Sequence, residues 1–127
     1  MDDTNKKKKI LIVDDDEIQL LIAEAILGSE YEIITAASGK KALEQIYHGN
    51  IPDLILLDIL MPEMDGFEVF NRIRAISLLQ EIPIAFLTSL DGTIVMEQAQ
   101  KIGATDFIMK PYSREDLLNR IKNAMDK

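Results

Sequence analysis

The sequence predicts an α/β fold, a three-layer sandwich with helices on both faces of one parallel sheet. Two observations carry this. Short apolar runs alternate with helix-period segments to give five strand–helix units. The middle run, Leu54–Leu57, is apolar at every position, the pattern of a strand buried on both faces. Right-handed crossovers between parallel strands follow.

Ile10–Val13 follows the Lys6–Lys9 run and reads as the first strand, ending in Asp14-Asp15-Asp16. Apolar residues at Ile18, Leu21, Ile22, Ala25 and Ile26 outline one helix face. Asp15 or Asp16 caps that helix, acids at its start suit its dipole, and Gly28 stops it. Tyr31–Ala36, with β-branched Ile33, Ile34 and Thr35, is the second strand. Ser38 caps a helix whose inner face is Ala42, Leu43, Ile46 and Tyr47, ending near Gly49. His48, the sole histidine, falls at that exposed end and is read as solvated.

The central strand ends on Asp58, and a loop with Pro62 and Gly66 follows. A helix from about Asp65 carries Phe67, Phe70, Ile73 and Ile76 or Ser77 at inward spacing. Pro83, tolerated at a strand's first position, opens Ile84–Leu87, which ends at Thr88. Asp91 caps a helix with Val95, Ala99 and Ile102 inward and Gly103 at its close. Asp106–Met109 is a short last strand ending at Lys110-Pro111. Ser113, with Asp116 three residues on, forms a capping box for a final helix buried through Leu117, Ile121, Ala124 and Met125.

A chain of 127 residues has the size of one domain, with 1–8 as a charged lead and 9–126 as the fold. The absence of cysteine excludes disulfides, thiolate metal sites and cysteine nucleophiles. A net charge of −8 argues against direct nucleic-acid binding. No apolar run reaches membrane-spanning length and the start lacks a signal-peptide pattern, so no membrane partner and a cytoplasmic location are expected.

The chemistry sits at the strand ends. A charge is costly to bury, so acids closing buried strands emerge at the carboxyl edge of the sheet, where open α/β sheets bind ligands. Asp14 and Asp15, Asp58, Thr88 and Lys110 all close strands, and in a parallel sheet those ends share one edge. Three clustered carboxylates call for a counter-cation, and oxygen ligands without histidine or cysteine suit Mg²⁺. Lys110 and Thr88 can each hold a phosphate oxygen. No glycine-rich phosphate loop and no general-base histidine accompany them. What fits is phosphoryl transfer onto a carboxylate, which needs positioning and charge neutralisation more than a base.

Val13-Asp14-Asp15, Asp58 with Met61-Pro62-Glu63-Met64-Asp65-Gly66, Leu87-Thr88-Ser89 and Lys110-Pro111 together resemble the receiver domain of bacterial two-component response regulators. The likeness runs from about Lys9 to Met125. It implies a flavodoxin-like sheet in the order 2-1-3-4-5. It also implies that Asp58 accepts a phosphoryl group from a sensor histidine kinase or a histidine phosphotransfer protein. Asp15 and Asp58 would bind Mg²⁺ directly with the Leu60 backbone carbonyl, and Asp14 through metal-bound water. Lys110 would hold the phosphoryl group, Thr88 would report it, and Phe107 would be the aromatic switch.

The resemblance further implies a cis Lys110–Pro111 peptide and a partner surface on the fourth helix, fifth strand and fifth helix. That surface would serve an output domain, a target protein or a phosphorylation-dependent homodimer. By family analogy Leu60 and Leu90 flank the path of a hydrolytic water. Such a domain is a phosphoacceptor that catalyses only its own phosphorylation and dephosphorylation. Two departures stand out: Phe107 lacks the hydroxyl of the tyrosine often found there, and Asp16 adds a third acid, read as a helix cap.

Two other readings fit less of the chain. Asp14-x-Asp16, Thr88 and Lys110 follow the order of the first three motifs of haloacid dehalogenase-type hydrolases. That reading leaves Asp58 idle and offers only Glu115 and Asp116 as the later acidic pair. A phosphorylation-independent receiver-like module would have lost Asp58, Lys110 or one of the paired acids. All are present.

Overall fold

The computed structural model describes residues 7–90 and 92–126. In chain order the elements are β1 (Lys9–Val13), α1 (Glu17–Leu27), β2 (Glu32–Ala36), α2 (Gly39–Tyr47), β3 (Leu54–Leu57) and α3 (Gly66–Arg74). A 3-10 turn (Ser77–Leu79), β4 (Ile84–Thr88), α4 (Thr93–Lys101), β5 (Asp106–Met109) and α5 (Arg114–Met125) complete the chain. All strand pairs are parallel and the sheet order is β2-β1-β3-β4-β5. Fold class and strand order are those expected. β1 starts one residue earlier and β2 one later than the sequence reading placed them.

Alternation along each strand divides the core into two layers. Leu11, Val13, Ile55, Leu57, Ile84 and Phe86 face α2, α3 and α4. Ile10, Ile12, Leu54, Leu56, Ala85 and Leu87 face α1 and α5. All four residues of β3 are fully buried, so each leucine or isoleucine there contributes about 1.5–3 kcal/mol by leaving water. Four helices open on side-chain caps, three of them expected and the fourth, Asp65, read only as the approximate start of its helix. Asp16 accepts from Ile18 N, Ser38 from Lys41 N, Asp65 from Glu68 N, and Ser113 from Asp116 N. α4 opens at Gly92, with φ 123° and no side-chain cap. The expected cap Asp91 lies outside the described residues, as do residues 1–6 of the charged lead.

Several inward faces differ from expectation. On α1 the buried residues are Leu20, Ala23 and Leu27, while Ile18 and Leu21 are each 66% exposed and Ile22 is 42% exposed. The segment EIQLLIAEAIL is apolar round most of its circumference, so periodicity fits two phases, and docking on the sheet selects one. Tyr47, the last residue of α2, is 70% exposed, and α2 is buried through Gly39, Ala42, Leu43 and Ile46 instead. α3 buries Val69 with Phe70 and Ile73, leaves Phe67 half-buried, and ends at Arg74, so Ile76 opens the 3-10 turn and Ser77 is exposed. Met125 is half-buried, and His48 is exposed at the end of α2 as expected.

One cluster secures the entry to β4. Arg74 Nη1 donates to Leu79 O at 2.9 Å and Ile82 O at 2.7 Å, closing the turn before the strand. Its guanidinium lies 4.9 Å from the centre of the Phe70 ring. Phe70 in turn stacks on Phe86 of β4 at 5.8 Å. Among the described residues, no helix is long and apolar enough to cross a membrane.

Candidate functional site

The sheet ladder reaches one residue past the strands into the site. Asp14 N donates to Ala36 O at 3.1 Å, Asp58 N to Val13 O at 2.9 Å, and Lys110 N to Thr88 O at 2.8 Å. Each functional side chain therefore leaves a backbone already fixed by its neighbour strand. Asp14, Asp58 and Thr88 are the buried polar or charged residues among those described. Asp15 is exposed above them. The predicted strand-end group does converge.

Lys110 bridges two acids. Its Nζ lies 2.5 Å from Asp14 Oδ2 and 3.4 Å from Asp58 Oδ2. The other oxygens take backbone donors: Asp14 Oδ1 accepts from Asp16 N at 2.9 Å, and Asp58 Oδ1 from Ile59 N at 2.7 Å. The Thr88 hydroxyl accepts from Leu90 N at 3.2 Å. Burial pushes the Asp58 carboxyl above its ordinary value. Lys110 opposes that rise, Asp14 adds to it, and the Thr88 hydroxyl and Ile59 N–H favour the ionised form.

One carboxylate oxygen from each of Asp14, Asp15 and Asp58 falls within a 4.8 Å cluster. Three carboxylates thus face one ammonium, and every donor is oxygen. This set fits a hard divalent cation such as Mg²⁺, with Asp14, Asp15 and Asp58 as its side chains. The crevice above them has a volume of about 610 Å³, and Leu60, Lys110 and Tyr112 line it with the three acids. A groove of about 600 Å³ between α1 and α2, lined by Glu17, Glu24, Lys41, Glu44 and His48, has no such convergence of ligating groups among the described residues.

Leu60 stands at the rim, 59% exposed. Leu90, expected beside it, is half-buried and packs against the core layer of α2, α3 and α4. Phe107 sits outside the crevice. It pairs in register with Phe86, is half-buried, and lines a groove of about 320 Å³ with Met96, Ala99, Ala104 and Arg120 on the α4–β5–α5 face. Arg120 binds both oxygens of Asp106 at 3.0 Å. The Lys110–Pro111 peptide is cis. Glu115 and Asp116, the acids a hydrolase would need, occupy the exposed first turn of α5, where Asp116 pairs with Arg120.

The sequence reading missed Tyr112, which lies two residues past Lys110, and Ile22, which reaches the crevice rim from α1. Proximity to Lys110 was the available signal for Tyr112. Ile22 was assigned to the core by a helix phase the structure does not adopt.

Gly66 makes the loop after Asp58 possible. Its N–H donates to Ile59 O at 2.8 Å, and a Cβ on it would stand 2.3 Å from the Asp58 carbonyl oxygen and 2.8 Å from Ile59 Cα. These are backbone atoms with no room to yield. Gly66→Ala is expected to lower stability by about 1–3 kcal/mol in urea unfolding, and to weaken any ligand of the crevice by displacing Asp58.

Known proteins agree with this geometry. The family described as "Response regulator receiver domain" matches residues 10–122. A curated relative, "Probable transcriptional regulator ycf27" of Cyanophora paradoxa, is 37% identical over 121 residues, covering 95% of this chain and 49% of its own length. The chain thus spans about half the length of such relatives, and 24% of the response regulator PleD of Caulobacter vibrioides. Among solved structures, a CheY-like receiver domain protein of Methanospirillum hungatei superposes with a TM-score of 0.86 at 33% identity, covering 95% of both chains. The receiver domain of the sensor histidine kinase PA1611 of Pseudomonas aeruginosa, with magnesium coordinated in its active-site cleft, gives 0.85 at 27% identity over 95% of this chain and 99% of that one. Matched motifs, sheet order and an acidic crevice at the strand ends lead to one conclusion: this chain belongs to the response regulator receiver domain family of two-component signalling.

Proposed function

We propose that residues 9–126 form a single receiver unit in which Asp58 is the phosphoacceptor, supplied by a sensor histidine kinase or a histidine phosphotransfer protein in the cytoplasm. The observation that carries this is the state of the Asp58 carboxylate. Asp14 is engaged on both oxygens, by Lys110 and by Asp16 N–H, whereas Lys110 reaches Asp58 Oδ2 at a longer 3.4 Å and the Thr88 hydroxyl stands beside that carboxylate. Asp58 Oδ2 attacks phosphorus as the phosphorus–nitrogen bond of phosphohistidine breaks and the imidazole leaves. An ionised carboxylate has no proton to lose, so the step needs no base.

Asp15, Asp58 and the Leu60 carbonyl would hold Mg²⁺, with Asp14 acting through water, and the ion would supply charge neutralisation at the phosphoryl oxygens. Lys110 passes from Asp14 to a phosphoryl oxygen, and the Thr88 hydroxyl donates to another. Movement of Thr88 toward Asp58 frees space on the side of Phe107. The ring then turns inward and reshapes the groove on α4, β5 and α5, where an output domain, a target protein or a second copy docks. The donor reaches Asp58 past an apolar rim of Ile22, Leu60 and Pro111, continued along α1 by exposed Ile18 and Leu21.

Acetyl phosphate or a phosphorylated histidine kinase tests this reading. With Mg²⁺ present, intact-mass measurement is expected to show one added phosphoryl group. Addition that proceeds equally in excess chelator, or that maps elsewhere than Asp58, refutes it. The phosphoryl group is expected to persist, because Leu60 shields the crevice mouth and cannot orient water by hydrogen bonding. Leu60→Asn should shorten its lifetime severalfold, followed as loss of the mass increment.

A further inference from the structure

β2 forms one edge of the sheet and pairs with β1 alone. Glu32 N donates to Lys8 O at 2.9 Å and Asp14 N to Ala36 O at 3.1 Å, so the even-numbered residues of β2 turn their backbone groups to β1. The N–H and C=O groups of Ile33 and Thr35 therefore point outward, and no loop among the described residues bonds to them. The register runs one residue to one over all five pairs. Ile33–Ala36 thus holds no proline, lysine or bulge, the devices that keep an edge from adding a strand.

The groove of about 600 Å³ between α1 and α2 opens at this edge, with Thr35 in its wall and Leu21 of α1 lending exposed apolar surface. Glu17, Glu24 and Glu44 line it against Lys41. None of these four forms an ion pair among the described residues. Three free carboxylates against one ammonium favour a cationic occupant, and the outward backbone groups favour an extended one. A helix could meet the same charges but would leave the groups of Ile33 and Thr35 unpaired.

We propose that this edge takes up an extended, basic segment of a partner protein, which adds to β2 as a further strand. Its backbone pairs with Ile33 and Thr35, and its lysine or arginine side chains on one face meet Glu17 and Glu24 on either side of Leu21. The surface is separate from the acidic crevice and from the α4, β5 and α5 face, and the proposal rests on neither.

The test is a titration with a short end-blocked peptide of alternating lysine and valine, read from the backbone amide shifts of the protein. Ile33 and Thr35 are expected to shift saturably. Glu17→Gln with Glu24→Gln should weaken binding about three- to tenfold, the loss of two exposed ion pairs, and a smaller change overturns the charge argument. The same peptide with alternate backbone amides N-methylated should leave Ile33 and Thr35 unmoved. If it binds as well as the unmodified peptide, the occupant is not a strand and the proposal fails. It fails too if millimolar peptide leaves Ile33 and Thr35 in place or shifts another face instead.

Discussion

Asp58→Asn is expected to yield a protein that takes up no phosphoryl group and yet, without metal, unfolds at a higher temperature than wild type. The two effects share one cause. The side chain keeps its shape and its place behind Val13 O, but the nucleophilic charge is gone, so mass addition falls to background. The same charge is a burden in the metal-free fold, where burial and Asp14 push the Asp58 carboxyl up more than Lys110 pulls it down. An acid whose folded pKa exceeds its unfolded value binds more protons folded than unfolded between those two values. Wild-type stability therefore falls as pH rises through that window, and the loss persists at neutrality. Asp58→Asn should flatten this part of the pH profile. Wild-type labelling of the variant sinks the assignment of the acceptor, and an unchanged pH profile sinks the electrostatic account.

Lys110→Met should do the opposite. Among the described residues the lysine is the one cation in contact with two nearly buried carboxylates, and the side chains of Lys110, Asp14 and Asp58 are 11%, 4% and 10% exposed. Removing one partner of a buried pair leaves its mates desolvated and uncompensated, at a cost of about 3 kcal/mol at neutral pH without metal. Urea unfolding measures it. Asp14→Asn in the Lys110→Met background should recover part of the loss, since one of the two stranded charges is then gone. A Lys110→Met protein as stable as wild type would show that the pair does not hold the fold together.

The fold and the core of the site were legible because they rest on the strongest physical contrasts. An apolar run closed by Asp58 has one low-energy placement, strand inside and carboxylate at the edge, and three further strand ends repeat the logic at Asp14 and Asp15, at Thr88 and at Lys110. Helix phase was harder. α1 carries apolar residues on two stripes, so the pattern alone could not say whether Ile18 and Leu21 or Leu20 and Ala23 meet the sheet. In α3 the aromatic Phe67 looked like the better core residue, but the crossing geometry buries the smaller Val69. Tyr112 was passed over because an aromatic after a proline reads as loop packing, although its place two residues past Lys110 was a signal. Leu90 shows the limit of analogy: its position in the chain matches the family, while its side chain joins the core rather than the crevice mouth.

The Arg74 clasp has a mechanical consequence for β4. At its entry the strand is held by two carbonyl bonds from Arg74 and by the Phe70–Phe86 stack, and along its length all five residues are buried. Such a strand behaves as a beam built in at one end and along its span. Thr88 is its tip, and only Ser89 and Leu90 separate it from the undescribed position 91. A pull on Thr88 from the crevice therefore bends the last residue and the loop beyond it and leaves the rest of the strand still. Such a pull would be felt in the loop that leads to α4, while the sheet that fixes Asp14 and Asp58 would keep its shape.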